Sequence, residues 1–366
     1  MGTVVEALEL ARRLVRLDTR GGGERPAADL VAGVLHDAGF DVVQQEPEPG
    51  RANVVARTGP PGSWVPVTFT GHLDTVPADP SGWSFDPLSG DVRGGRLLGR
   101  GGSDMKAGVA CQVEAAVRAA REGTDPVQLV FTFGEETGCD GAARLDADAL
   151  APTGLLVVAE PTGNRTVLGH KGTLWLRATA RGVSAHGSRP ELGRNALVAL
   201  AAAATRVAAH RDWPVSPTHG PVTVNIGTFH AGVQPNLVPD SAEMRIDVRT
   251  VPGFGSAEAA ARIAGLCGAE IEIERLVDLP GVATDPSEPG MTDVLETLEP
   301  GSSARSPQYA TYFTDASVLA ARLGGPDVVV FGPGDPEQAH VTDETCSVAN
   351  IEAAARAFRA LLLRKR

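Results

Sequence analysis

Cysteine is scarce in this chain and carries no pattern. Cys111, Cys139, Cys267 and Cys346 form no C-x-x-C pair, which argues against a disulfide framework and for four free thiols in a reducing compartment. Clusters of basic residues are missing as well. With 33 Lys+Arg against 45 Asp+Glu the formal net charge is -12, and without a stripe of Lys and Arg there is nothing to neutralise a run of phosphates, so nucleic acid is not expected as a partner. No apolar run reaches the roughly 18–20 residues of a membrane span, and the N-terminus opens on an amphipathic stretch rather than a basic segment followed by an unbroken apolar one. These absences leave a cytoplasmic protein that acts on small molecules and has no membrane partner. Internal repeats and low-complexity tracts are absent too.

What is present is an alternation of helices and strands over 366 residues, longer than the roughly 250–300 at which a single core stops growing, so two domains are expected. Val4, Val5, Leu8, Ala11, Leu14 and Val15 stand at helical spacing over 3–17. A second helix follows Pro26 with Leu30, Val31, Val34 and Leu35 and stops at Gly39. Strand-like runs follow at 53–57, 65–70, 127–133 and 155–159, with a helix over about 105–121 between the second and third. This pattern predicts an α/β fold with a mixed, mostly parallel sheet flanked by helices. From about Lys171 the texture changes to strand 173–180, Ala-rich helix 194–210, strands 222–229 and 242–248, helix 257–266 and strand 270–274. That order predicts an inserted ferredoxin-like α+β module over 171–276. Helices near 291–298 and 314–322, a strand over 327–331 and a last helix from Ala349 return to the first domain, which therefore comprises 1–170 and 277–366.

The charged residues that stand out follow apolar runs. They are His72 and Asp74 in GHLDTVP, Asp104 in GRGGSDMKAG, Glu135 and Glu136 in GEET, Glu160 in AEPT, and His340 with Gln338 in GPGDPEQAH. Ligands of open α/β sheets gather at the carboxyl ends of strands, so these positions point to one shared site. Two imidazoles, three ligand carboxylates and a spare carboxylate are what two zinc ions and a general base require.

Each residue also has a plainer reading. Asp74 either accepts from the second ring nitrogen of His72, fixing its tautomer, or caps a turn before Pro77. Asp104 either caps the helix that follows or, brought close by the glycines before it, offers one oxygen to each of two metals. Glu135 and Glu136 are solvated or metal-associated, since adjacent buried carboxylates repel each other. In the second case Glu136 is the ligand and Glu135 the base. Glu160 ends the apolar LLVVA run, where a charge is tolerated only if paired or metal-bound. His340 is the last ligand candidate, and Asp343 and Glu344 after it are candidate caps of the terminal helix.

Taken together, GHLDTVP, RGGSDMKAG, GEET, AEPT and QAH, in that order, resemble the zinc-dependent superfamily of aminoacylases, acetylornithine deacetylases, succinyl-diaminopimelate desuccinylases and glutamate carboxypeptidases, from residue 3 to the C-terminus. The resemblance implies a zinc-exopeptidase-like fold and two Zn2+ per subunit, replaceable by Co2+ or Mn2+. One zinc falls to His72, Asp104 and Glu160, the other to Asp104, Glu136 and His340, with Glu135 as base. The insert becomes a lid and dimerisation domain, hence a homodimer. The run GVSAHGSRPELGRNA is similar to the family's lid motif, whose histidine, here His186, reaches the partner's active site and steadies an oxyanion. Asn236 in QPNLVPD, Arg249 in DVR and Thr314 in FTDASVL match substrate-facing positions.

GPGDPEQAHVTDE is most similar to acetylornithine deacetylases, which implies an N-acyl-L-amino acid substrate. Phe313, where relatives carry glycine, and Asp315, where they carry Glu, depart from that pattern, and Tyr309 and Tyr312 make the pocket more aromatic. A dipeptidase, a carboxypeptidase or a desuccinylase with the same machinery is the alternative. A non-catalytic binding protein on this fold is the alternative of another class.

Overall fold

The computed structural model describes residues 6–364; Val4 and Val5 of the first expected helix lie outside them. The chain divides into two compact units, one running to Gly169 and resuming over Ala283–Gln308 and from Thr314, the other made of His170–Val282 and Tyr309–Phe313.

In the first unit six strands form one mixed sheet in the order Asp41–Glu48, Arg51–Arg57, Val127–Thr132, Val65–His72, Thr153–Val158, Asp327–Val330. The last four run parallel and the first two are antiparallel additions. The parallel strands are mostly apolar, as strands of a sheet covered by helices are, and the polar side chains they bury are bonded, Gln128 Nε2 donating to Thr68 Oγ1 and Thr70 Oγ1 to Val130 O. Every residue of Val65–His72 and Val127–Thr132 is buried. The helix Ala107–Arg121 packs against this sheet and against the terminal helix Val348–Leu363. A small antiparallel sheet joins Thr345–Ser347 to Arg96–Leu98 and Val92–Arg93.

The helix expected from Met105 begins at Ala107. The five residues before it, Gly102–Lys106, form a tight buried turn in which Asp104 leaves helical geometry, at φ -119° and ψ 96°. Gly101 precedes it with φ 80°, a left-handed conformation suited to glycine. Asp104 is therefore not the cap of that helix, whose cap position is Lys106 with no side-chain bond.

The second unit is a four-stranded antiparallel sheet in the order Thr223–Ala231, Ser241–Thr250, Gly172–Arg181, Ile271–Leu279. Helices Ala196–Ala209 and Ser256–Cys267 bury Leu200, Ala203, Val207, Ala259 and Ile263 against Leu174, Leu176, Met244 and Ile246. Asn195 caps the first of these helices by accepting from Val198 N. Among the described residues no helix is long and apolar enough to cross a membrane. All four cysteines are free and buried.

Candidate metal centre

Register brings the motifs together. His72 closes its strand opposite Thr132 of the parallel neighbour, and Thr70 lies opposite Val158 of the other. The chain leaving Thr132 therefore delivers Glu135 and Glu136 beside His72, and the chain leaving Val158 delivers Glu160. Asp104 arrives on the Gly102–Lys106 turn. His340 comes from the loop after Asp327–Val330, with a left-handed φ of 62°. A non-glycine residue holds that conformation at about 1–3 kcal/mol, so the loop around it must be firmly fastened.

Asp104 lies between the two imidazoles. Its Oδ1 is 3.2 Å from His72 Nε2 and its Oδ2 is 3.3 Å from His340 Nε2. His340 Nε2 is also 3.0 Å from Glu136, and His72 Nε2 is 3.9 Å from Glu160. His72 Nδ1 donates to the backbone carbonyl of Asp74 at 3.0 Å, with the Asp74 carboxylate at 3.5 Å. Asp74 spends its carboxylate elsewhere: it accepts from Glu135 N at 3.2 Å and Glu136 N at 3.1 Å, and so orients the GEE turn. Two sets of potential ligand atoms, from His72, Asp104 and Glu136 and from His72, Glu135 and Glu160, each lie within 4.8 Å of one another. Glu135 thus shares a cluster with the residues named as ligands, and distance alone does not separate ligand from base.

The donor chemistry fits divalent cations. Asp104, Glu135, Glu136 and Glu160 converge, and the ion pairs at the site are all with the two imidazoles. With Nδ1 of His72 donating to a carbonyl, a bare Nε2 facing a carboxylate oxygen at 3.2 Å needs a proton or a cation between them. The protonation equilibria express the same crowding. Burial and then repulsion from Glu160 push Glu135 well above the usual carboxylate range, and burial and then Asp104 do the same to Glu160. Burial opposes a charge on His72, but hydrogen bonds to Asp104 and Asp74 outweigh it and raise the ring well above its ordinary value. Hydrogen bonds to Asp104 and Glu136 raise His340 to about 10. Cations at this place relieve the repulsion that protons otherwise have to quench.

Two residues noted in the sequence for other reasons stand beside the site. Buried Asp315 accepts from Thr132 Oγ1 and keeps Oδ1 unpartnered; burial raises it to about 6. Glu344 does not cap the terminal helix, which Ser347 caps by accepting from Asn350 N, and Asp343 instead accepts from Ser84 N at 2.7 Å. Fully buried Glu344 turns to the Asp104 turn and to Arg100. The glycines of GRGGSD were the only signal that something approaches this turn closely.

The remaining candidates divide between the units. Thr314 is buried in the first unit, where its hydroxyl accepts from Ala316 N. His186, Asn236 and Arg249 belong to the second. His186 is turned to Ser188 Oγ at 2.7 Å, and its loop joins the Asn236 loop through Gly187 N donating to Asn236 O at 2.8 Å. Arg249 donates through Nε to Asp247, lies 5.4 Å from the ring centre of Phe313, and leaves Nη1 buried without a partner.

Comparison with known proteins agrees with this geometry. The model of "Peptidase family M20/M25/M40" matches residues 68–364. The acetylornithine deacetylase of Vibrio atlanticus is 31% identical, over 90% of this chain and 89% of that protein. A "Probable carboxypeptidase" of Aspergillus terreus is 31% identical, over 97% of this chain and 85% of that protein. Among solved structures, aminopeptidase PepT from Bacillus cereus superposes with a TM-score of 0.76 at 22% identity, covering 98% of this chain and 97% of its own, a likeness of fold.

Proposed function

This chain belongs to peptidase family M20/M25/M40 and is a metal-dependent hydrolase; from that premise we propose that it cleaves the amide bond of an N-acyl-L-amino acid. The observation that carries the reading is the placing of Asp104, one carboxylate oxygen toward His72 and the other toward His340, at 3.2 and 3.3 Å.

In this reading His72, Asp104 and Glu160 would hold one zinc, and Asp104, Glu136 and His340 the other. When bound, the pair supplies Lewis acidity, polarising the substrate carbonyl and acidifying water. Glu135, its backbone fixed by Asp74, takes the proton from water and returns it to the departing amine. Glu135 is buried beside His72 and Glu160, enclosed at the place where such a base would act. The resemblance of the GVSAHGSRPELGRNA run supports His186 as an oxyanion donor acting across a homodimer, with 171–276 as ferredoxin-like lid and dimerisation domain. Arg249 would grip the substrate carboxylate, and Asn236 and Thr314 would be further substrate-facing residues.

The test is amine release from Nα-acetyl, succinyl and formyl amino acids and from dipeptides, with zinc and with a chelator. Chelator-sensitive cleavage of Nα-acetylornithine above the rest is the expected result. A second reading has its own support: Phe313, stacked by Arg249 and edge-on to Trp175 at 6.3 Å, gives a carboxylate-binding guanidinium an aromatic wall. Preference for dipeptides with apolar C-terminal residues would move the assignment to a peptidase.

A further inference from the structure

Glu344 is the most heavily bonded carboxylate beside the centre, and the reaction does not use it. Its Oε1 accepts from Ser103 N at 2.7 Å and Asp104 N at 3.0 Å. Its Oε2 accepts from Gly101 N at 3.1 Å and from Arg100 Nη1 at 2.7 Å. Glu344 is wholly buried and Arg100 nearly so. Removing either partner of such a pair leaves an uncompensated buried charge, so the two are held together in the folded protein.

These bonds cross 240 residues of sequence, from the loop that carries His340 to the turn that carries Asp104. Other bonds tie the same two segments. Ser103 Oγ donates to Thr345 O at 2.9 Å and accepts from Asp335 N at 3.1 Å. Gln338 Oε1 accepts from Thr345 N at 3.0 Å, closing the His340 loop on itself. Glu344 O accepts from Gly99 N at 3.0 Å.

We propose that Glu344, with Arg100 as its counter-ion, is the positioning residue that sets the Asp104 carboxylate between His72 and His340 and so determines metal affinity at the shared position. This rests on the proposed di-metal reading. Three convergent amides fix the backbone on which Asp104 stands, and the same residue, four positions from His340, fixes the loop on the other side. Residues that orient ligands in this way are typically worth 10–100-fold in metal affinity.

The test uses the full-length protein and Co2+ alone, titrated by visible absorption and by calorimetry. Wild type should bind two Co2+ per chain. Glu344→Gln keeps the shape but sets an amide NH2 against donors, and should weaken Co2+ binding 10–100-fold, alter the Co2+ absorption band and lower kcat more than KM. Glu114→Gln removes another buried carboxylate, which accepts from Ala7 N at 2.6 Å; it should lower Tm while leaving Co2+ affinity and spectrum unchanged. Should Glu344→Gln fail to fold, Glu344→Asp, which keeps the charge for Arg100 but draws the carboxylate back from the amides of Ser103 and Asp104, should weaken Co2+ binding in the same direction. Wild-type affinity and spectrum in the folded Glu344→Gln, or in Glu344→Asp where Glu344→Gln does not fold, overturns the inference. Absence of Co2+ binding by wild type overturns the di-metal reading instead.

Discussion

Glu135 and Glu136 are adjacent, yet their surroundings differ. Glu136 lies against His340, while Glu135 is enclosed and raised well above the usual carboxylate range by burial and by Glu160. Because Glu135 also falls within reach of His72 and Glu160, its role is decided by what its loss removes. Glu135→Ala should lower kcat on the order of 10²–10⁴-fold, the ordinary worth of a general base, with metal content by mass spectrometry of the folded protein unchanged. Loss of one metal with the side chain would make Glu135 a ligand and leave the base to be found elsewhere. His170, in the second unit, offers a test of linkage away from the centre. Its ring is fully buried and, against the help of Lys171 O, burial lowers it from 6.5 to about 4. Above pH 6.5 neither state carries the proton. Between 6.5 and about 4 the unfolded chain takes it up and the folded one does not, so stability falls with falling pH across that window, by about 3 kcal/mol at about 1.36 kcal/mol per unit. Urea unfolding of wild type and His170→Gln from pH 7 to 4 isolates this contribution as the difference of the two slopes. Parallel slopes would show that the imidazole is solvated in the folded state.

The element that matters most to the centre is the helix Ala107–Arg121 with the turn before it. Gly108 lies so close to the end of the Thr153–Val158 strand that a Cβ there would come within 2.2 Å of Ala159 O and 2.8 Å of Ala159 Cβ. Gly108→Ala should therefore push the helix from the strand end that delivers Glu160, lowering stability by about 1–3 kcal/mol and weakening metal binding with it. Gly33, inside Arg25–Asp37, has nothing within 4 Å of such a Cβ, and Gly33→Ala should raise stability by about 0.4–1 kcal/mol. Thermal melts of both variants test the pair, and a neutral Gly108→Ala would mean that helix and strand are not in the contact described. The same elements show what a sequence discloses. Val127–Thr132 and Thr153–Val158 are legible because a strand buried on both faces reads as a near-continuous apolar run, here broken only by Gln128 and by threonines and a glycine. Asp41–Glu48 was missed because it is an edge strand: DVVQQEPE is exposed or half-buried, carries Pro47, and shifts register between Gln45 and Glu48. The start of the helix was misplaced by two residues because Gly102–Lys106 is shaped by Glu344, 240 residues away. Motif residues could be read singly, since each kind of side chain announces its chemistry. The residue that holds them could not, because Glu344 beside a helix start has the local signature of a cap.

At the scale of the whole molecule the two units have separate cores, and all the residues proposed to hold metal lie in the first. Binding that favours the folded state stabilises it by mass action, about 2.7 kcal/mol for one site at a hundredfold excess over Kd. That stabilisation is expected where the ligands are. Amide exchange reports it locally, because protected amides open with their own cooperative unit. In metal-depleted protein the amides of Ser103 and Asp104, and those of Val127–Thr132, should exchange faster than after zinc is restored. Those of Ser241–Thr250, paired on both sides by strands of its own unit, should exchange at the same rate in both. Zinc-dependent protection of equal size in both units would mean that they unfold as one. The four buried thiols would then share a single protection factor, and a thiol reagent would reach Cys267 of the second unit no sooner than Cys111 of the first. Under the separation argued here, chelation exposes Cys111, Cys139 and Cys346 to the reagent and leaves Cys267 as slow as before.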